Sequence, residues 1–259
     1  MSTEPASRNR YAAVLRTPLG FTAAALAVAV LVLAVVAPIL WTDSANAVDT
    51  DDILAGPSSE HWAGTDNLGR DIIFRTLVAT RLSIELALAA TLIAIVVGVV
   101  LGSAPTVLGR RAGRLVTAGI NIAVAFPGIL LALFFTPLVA RTVRGSVLAV
   151  KSQEYIDAAR IRGERTGYIL VGEILPNITG TLIVEATVRL SSAIVTAASL
   201  SFIGLGVQPP SPDWGLTIAT EASYLTIAWW SAIFPSLALG SLVVGAALLA
   251  EGAREGNDR

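Results

Sequence analysis

Residues 82–104 read LSIELALAATLIAIVVGVVLGSA, with Glu85 as the only ionisable side chain in the run. A helix crosses the hydrocarbon of a bilayer with about 20 mostly apolar residues, so this run is long enough to span. Four further runs of that kind stand at 19–41, 115–140, 178–203 and 226–250. All are far longer than the about 9–11 residues of a barrel strand. Backbone groups cannot stay unpaired in lipid, so the architecture they specify is a bundle of helices. The fold class is therefore all-α integral membrane protein with five evident transmembrane segments. A transmembrane domain over 19–250 lies between an N-terminal tail, 1–18, and a C-terminal tail, 251–259.

Composition agrees. The chain is 54% hydrophobic and 14% charged, against roughly 25% charged in an average soluble domain. Its mean hydropathy is +0.71. The net charge of -1 offers no basic footprint for nucleic acid. Cysteine is absent and His61 is the only histidine, so disulfides and cysteine nucleophiles are excluded and a metal site would need carboxylates almost alone. No metal site is assigned. The first apolar run exceeds the ~7–15 residues of a signal-peptide core and reads as a retained span.

Arginines set the orientation, because basic residues stay on the cytoplasmic side. Arg8, Arg10 and Arg16 place the N-terminus inside. The loop 42–80 is rich in acid and reads as outside, and Arg110, Arg111 and Arg114 put 105–114 back inside. After the third run the chain should emerge outside. Yet 141–177 carries Arg141, Arg144, Lys151, Arg160, Arg162 and Arg165 and reads as cytoplasmic. One crossing is missing. A re-entrant third segment broken at Pro127, Gly128 and Pro137, a departure from the charge rule, or a helix absent between Phe135 and Arg144 would each account for it. The run 115–140 is too short for two crossings at about 1.5 Å per residue, which favours the absent helix.

Three polar blocks carry the function. The segment from Glu154 to Pro176 reads as two short helices around Gly163, whose missing side chain allows a tight bend. Ile156, Ala159 and Gly163 share one shallow stripe that another protein could cover, or the segment is an amphipathic loop resting on headgroups. Pro176 starts the next span. The block His61-Trp-Ala-Gly-Thr-Asp-Asn-Leu-Gly-Arg-Asp71 precedes the second span. Its Gly64 and Gly69 suit turns, and Asp66 or Asp71 caps the helix that follows. The block 201–215 turns through Gly204, Gly206, Pro209, Pro210 and Pro212, with Trp214 read as an interfacial anchor and Trp229 and Trp230 as part of the same aromatic belt. Within the fourth run Glu185 and Arg189 stand one helical turn apart and can pair, either along the translocation path or as a structural pair in the cytoplasmic third of the helix. Glu85 is read as interfacial.

Asp157-Ala158-Ala159, three residues, Gly163, then twelve residues to Pro176 resembles the EAA loop of ABC-transporter permeases, with Asp in place of the usual Glu. The 61–71 and 201–215 blocks resemble those of the second permease subunit of dipeptide, oligopeptide and nickel importers. This resemblance implies a coupling helix in a cytoplasmic loop, 141–177, with Glu154, Asp157, Ala158, Ala159, Gly163 and Pro176 meeting the ATPase. It implies His61, Gly64, Asp66, Gly69, Arg70 and Asp71 as an extracytoplasmic motif; Glu185 and Arg189, as charges within an apolar run, and Gly204, Gly206, Pro209 and Pro210, as helix breakers in lipid, are read as path or gate. It further implies two cytoplasmic ATPase subunits, a sister permease in a heterodimer, an extracytoplasmic substrate-binding protein, and a multi-pass place in the inner membrane among its lipids. No phosphate-binding loop occurs in the sequence, so ATP and Mg are expected on the partners and no cofactor on this chain. Such permeases have six spans. The deficit here leaves two other readings: a shortened scaffold that transports nothing, and an ion-gradient-driven carrier supported only by Glu185 and Arg189.

Overall fold

Among the described residues four prolines lie inside long helices, and none ends one. In the computed structural model, which describes residues 18–123 and 130–258, Pro38 lies within α1 (Pro18–Asn46), Pro105 within α2 (Ile72–Ala123) and Pro137 within α3 (Leu130–Lys151). Short elements follow: α4 (Glu154–Ile161), α5 (Thr166–Tyr168), a π-helical stretch (Ile169–Ile174) and α6 (Leu175–Asn177). Then come α7 (Thr179–Phe202), α8 (Trp214–Glu221) and α9 (Trp229–Asp258), the last containing Pro235. A proline removes one backbone donor, but unwinding the helix in lipid would strand several more, so the helix continues.

Among the described residues four helical stretches are long and apolar enough to cross a membrane: Val28–Asn46, Ile72–Thr106, Thr179–Phe202 and Trp229–Gly252. The expected span at 115–140 is divided. Residues 115–123 end α2 and 130–140 begin α3, while 124–129, with Pro127 and Gly128, lie outside the described residues, as does the tail up to residue 17. Residues 105–114 are helical and continue α2, residues 141–151 complete α3, and α9 runs on to Asp258.

The chain forms two compact units, Met1–Leu88 with Leu190–Gly252, and Ala89–Arg189 with Ala253–Arg259. In the first, Val30, Leu31, Ile84, Leu190, Ile194 and Leu242 line an apolar cavity of about 180 Å³. In the second, Gly98 and Gly102 receive α3. A Cβ on Gly98 would fall 2.5 Å from Val139 Cγ1, and one on Gly102 2.6 Å from the Ala140 carbonyl oxygen. Small residues four apart let helix backbones approach closely in a membrane. Phe135, Val139, Val143 and Val147, also spaced by four, form the buried stripe of α3.

Candidate functional site: a capped loop, a glycine-proline turn and a coupling segment

The loop before α2 folds around a buried carboxylate. Asp66, 1% exposed, accepts hydrogen bonds from the backbone N–H of Leu68 at 2.9 Å and of Arg70 at 3.0 Å. Its other oxygen takes Arg70 Nε at 2.7 Å, with Arg75 Nε 3.6 Å away. The turns that make this possible need positive φ, +73° at both Gly64 and Gly69. A Cβ at Gly69 would lie 1.6 Å from the Asp49 carbonyl oxygen, and one at Gly64 2.6 Å from the Trp230 indole.

Of the two aspartates offered as caps, Asp71 is the one that caps α2, through Oδ1 and the Phe74 N–H at 3.1 Å. Its Oδ2 lies 2.9 Å from His61 Nδ1, and Asp52 lies 3.7 Å from the other ring nitrogen. The hydrogen bond to Asp71 raises the His61 pKa above 6.5, aided by the charges of Asp71, Asp52 and Glu60 and opposed by burial.

Two residues of this layer were not singled out from the sequence. Arg75 is buried and donates from Nη1 to the Ala45 carbonyl at 3.2 Å, tying α2 to the end of α1. Glu221, at the end of α8, is 1% exposed. Burial pushes its carboxyl above the ordinary 4.5, while hydrogen bonds from the Ser231 side chain and the Asn67 backbone pull the other way. In the sequence, charge alone marks both, and nothing there brings 66, 75 and 221 together.

The 201–215 turn is built on contacts that exclude side chains. Gly204 has φ +79°. A Cβ on Gly206 would fall 2.0 Å from Ser201 Oγ, and one on Gly215 2.2 Å from the Ala198 carbonyl. Pro209 and Pro210, joined by a cis peptide, are exposed at its tip. Asp213 caps α8 through the Leu216 N–H at 2.9 Å. Trp214 is not the interfacial anchor expected: it is 3% exposed, and its indole N–H donates to the Thr76 carbonyl at 2.9 Å. Trp229 is half exposed, whereas Trp230 is partly covered by Gly56 and Gly64. Beside the turn, Phe202, Ile203, Gly215, Ile218, Ser236 and Gly240 line a cavity of about 580 Å³.

In the coupling segment the expected two helices and glycine bend are present, with Gly163 at φ +81°. The stripe expected to receive another protein is used internally. Ile156 and Ala159 are fully buried, and α4 packs on the π-helical stretch. The open side of α4 is different: Glu154, Tyr155, Asp157, Ala158 and Ile161 are exposed, Ile161 at 87%. Arg160 pairs with Asp157 and Arg162 with Glu164, each at 2.7 Å, within the chain. Pro176 lies in α6, so the span begins later, at Thr179.

Glu185 and Arg189 pair at 2.8 Å, with side chains 11% and 17% exposed. The Arg189 guanidinium stands 5.9 Å from the centre of the Phe135 ring, so a cation–π contact supports the same charge.

Long apolar helices together with a short charged helix before a glycine bend fit a membrane transport subunit. Residues 115–254 match the family described as binding-protein-dependent transport system inner membrane component, and this chain belongs to that family. It is 37% identical to the glutathione transport system permease protein GsiD of Pectobacterium atrosepticum, covering 90% of this chain and 86% of that one. It is 33% identical to the dipeptide transport system permease protein DppC of Alkalihalophilus pseudofirmus (88% and 81% covered). With the probable D,D-dipeptide transport system permease protein DdpC of Escherichia coli it shares 34% identity (92% and 87%).

The alignment with the first runs over 259 positions yet takes up 90% of this chain. About one aligned position in ten therefore faces a gap on this chain's side. The chain is a multi-pass inner-membrane permease subunit of an importer that works with an ATPase and a substrate-binding protein.

Proposed function

We propose that this subunit forms part of the path for di- or oligopeptides, or a similar small solute, in an ATP-driven importer. Two cytoplasmic ATPase subunits and a sister permease complete the machine, and ATP and Mg bind on the ATPases. The N-terminus lies in the cytoplasm, the 61–71 layer faces the extracytoplasmic binding protein, and Glu185, Arg189 and the 204–210 turn belong to the path or gate. The glutathione and dipeptide permeases among the relatives support the substrate class, and the cavity beside the turn falls within the roughly 300–1,000 Å³ of small-ligand sites.

The observation that carries the coupling assignment is the two-sidedness of α4. Ile156 and Ala159 anchor it to its own unit, which leaves Glu154, Asp157, Ala158 and Ile161 as a rigid outward face for the ATPase. Gly163 and the stretch to Pro176 carry its displacement toward α7.

Reconstitution with partner subunits tests the function. ATP-dependent uptake of a short peptide is expected. Partner binding without uptake would establish the scaffold reading, which the missing span favours, and gradient-driven uptake without ATPase would establish the carrier.

A further inference from the structure

Arg81 and Glu85 form an ion pair inside an apolar helix, and both are open. Arg81 Nε lies 2.7 Å from Glu85 Oε1, and the side chains are 55% and 56% exposed. Their depth is fixed by an aromatic layer in the same unit. The rings of Trp41 and Phe74 pack with centroids 5.9 Å apart, and Trp230 lies against Gly64, whose carbonyl accepts from the Ile72 N–H. Tryptophans gather at membrane–water boundaries, so the boundary crosses α2 near residues 72–74. At 1.5 Å per residue Arg81 stands about 10 Å and Glu85 about 16 Å beyond Phe74. Glu85 thus approaches the middle of a hydrocarbon layer about 30 Å thick.

Neither ordinary account of such a pair fits. An arginine facing lipid near a boundary extends its head back toward the headgroups. Arg81 turns the other way, onto a carboxylate one turn deeper. Unlike Glu185 and Arg189, which their surroundings cover, this pair stands open. Charge at this depth that is neither covered nor withdrawn to the boundary requires water or a polar partner beside it.

We propose that the Arg81–Glu85 pair lines a water-filled solute path in the assembled permease, offering a cation and an anion to the charged ends of a passing zwitterion such as a short peptide. The inference rests on the importer reading and adds where the solute passes. A hydrated pair of this kind is held weakly, so it can open and exchange its partners for the carboxylate and ammonium of the solute.

The chain has no cysteine, so Arg81→Cys, Glu85→Cys and Val35→Cys can each be read alone; Val35 is an exposed apolar residue of α1. The complete transporter, in membranes open on both faces, is treated with a methanethiosulfonate bearing a trimethylammonium group. Because the thiolate is the reacting species and forms readily only in water, positions 81 and 85 are expected to react at least roughly tenfold faster than 35. Equally slow reaction at all three positions overturns the proposal. Labelling at 81 and 85 only when the sister permease is withheld also overturns it, by assigning the pair to a subunit interface.

A second variant, Arg81→Met with Glu85→Leu, keeps the helix apolar and removes both charges. It is expected to cut ATP-dependent uptake of glutathione and alanyl-alanine with the assembled complex present at wild-type amount, and unchanged uptake overturns the proposal. If the wild type takes up neither probe, the importer reading is what fails, and the labelling still decides which surface the pair faces.

Discussion

Asp71 holds His61 at 2.9 Å with one carboxylate oxygen and caps α2 with the other. The loop and the first turn of the helix are therefore fixed by a single side chain. His61 gains a proton-holding partner on folding, so its pKa rises above 6.5, chiefly through that hydrogen bond. The sign follows. The charged bond contributes fully below the unfolded value of 6.5 and is lost as pH rises through the higher folded value. Thermal unfolding of wild type against His61→Asn, between pH 5.5 and 9, should show a stability difference that is largest at the acid end and shrinks upward. A difference independent of pH would mean that the imidazole acts only by filling space.

Glu221 behaves in the opposite sense. Its carboxyl is pushed up by burial, so ionising it costs the folded state something that grows as pH rises past 4.5. Glu221→Gln keeps the shape and removes that cost. The variant should melt higher than wild type at pH 7.5, with the gain fading toward pH 4.5. A lower melting point at neutral pH would show that the charge is needed by Arg70 and Arg75.

Asp66 is the buried counterpart to two arginines and accepts three hydrogen bonds from the loop and Arg70. Removing one partner of a buried ion pair costs about 3–5 kcal/mol. Asp66→Ala should therefore lose most of the order of the 47–71 loop, read as rapid protease cleavage there while the membrane helices stay protected.

Gly69→Ala tests the turn itself. A left-handed φ and a Cβ at 1.6 Å from the Asp49 carbonyl cannot both be tolerated. The strain alone is worth about 1–3 kcal/mol. A loss of stability is expected, and a neutral result would require the loop to fold otherwise.

The two faces of α4 should separate by readout. Ile161→Asp alters an exposed position and is expected to reduce ATPase-coupled uptake by about tenfold while leaving expression and melting unchanged, since a surface substitution usually moves stability by within about 0.5 kcal/mol. Ile156→Asp puts a charge into a fully buried site and should prevent stable folding of the segment. Uncoupling by neither variant would place the ATPase contact elsewhere.

Long apolar runs, the coupling motif and the glycine-rich blocks were legible in the sequence because each depends on residues near one another in the chain. Run length determined that the protein is a helical membrane bundle, since lipid leaves backbone groups no other partner. Charge placement pointed to a missing crossing. Glycine positions marked the bends at 64, 69, 163 and 204, where φ is positive.

What the sequence could not decide was which side of each short element would be used. The stripe of Ile156 and Ala159 is equally suited to a partner or to the chain's own π-helical stretch, and packing chose the latter. Trp214 carries the chemistry of a boundary anchor, yet it is buried with its indole N–H on the Thr76 carbonyl. Asp66, Arg75 and Glu221 come from three separate parts of the chain, and only the tertiary structure brings them into one buried layer, because the balance of buried charge is settled by distances in space and not along the sequence.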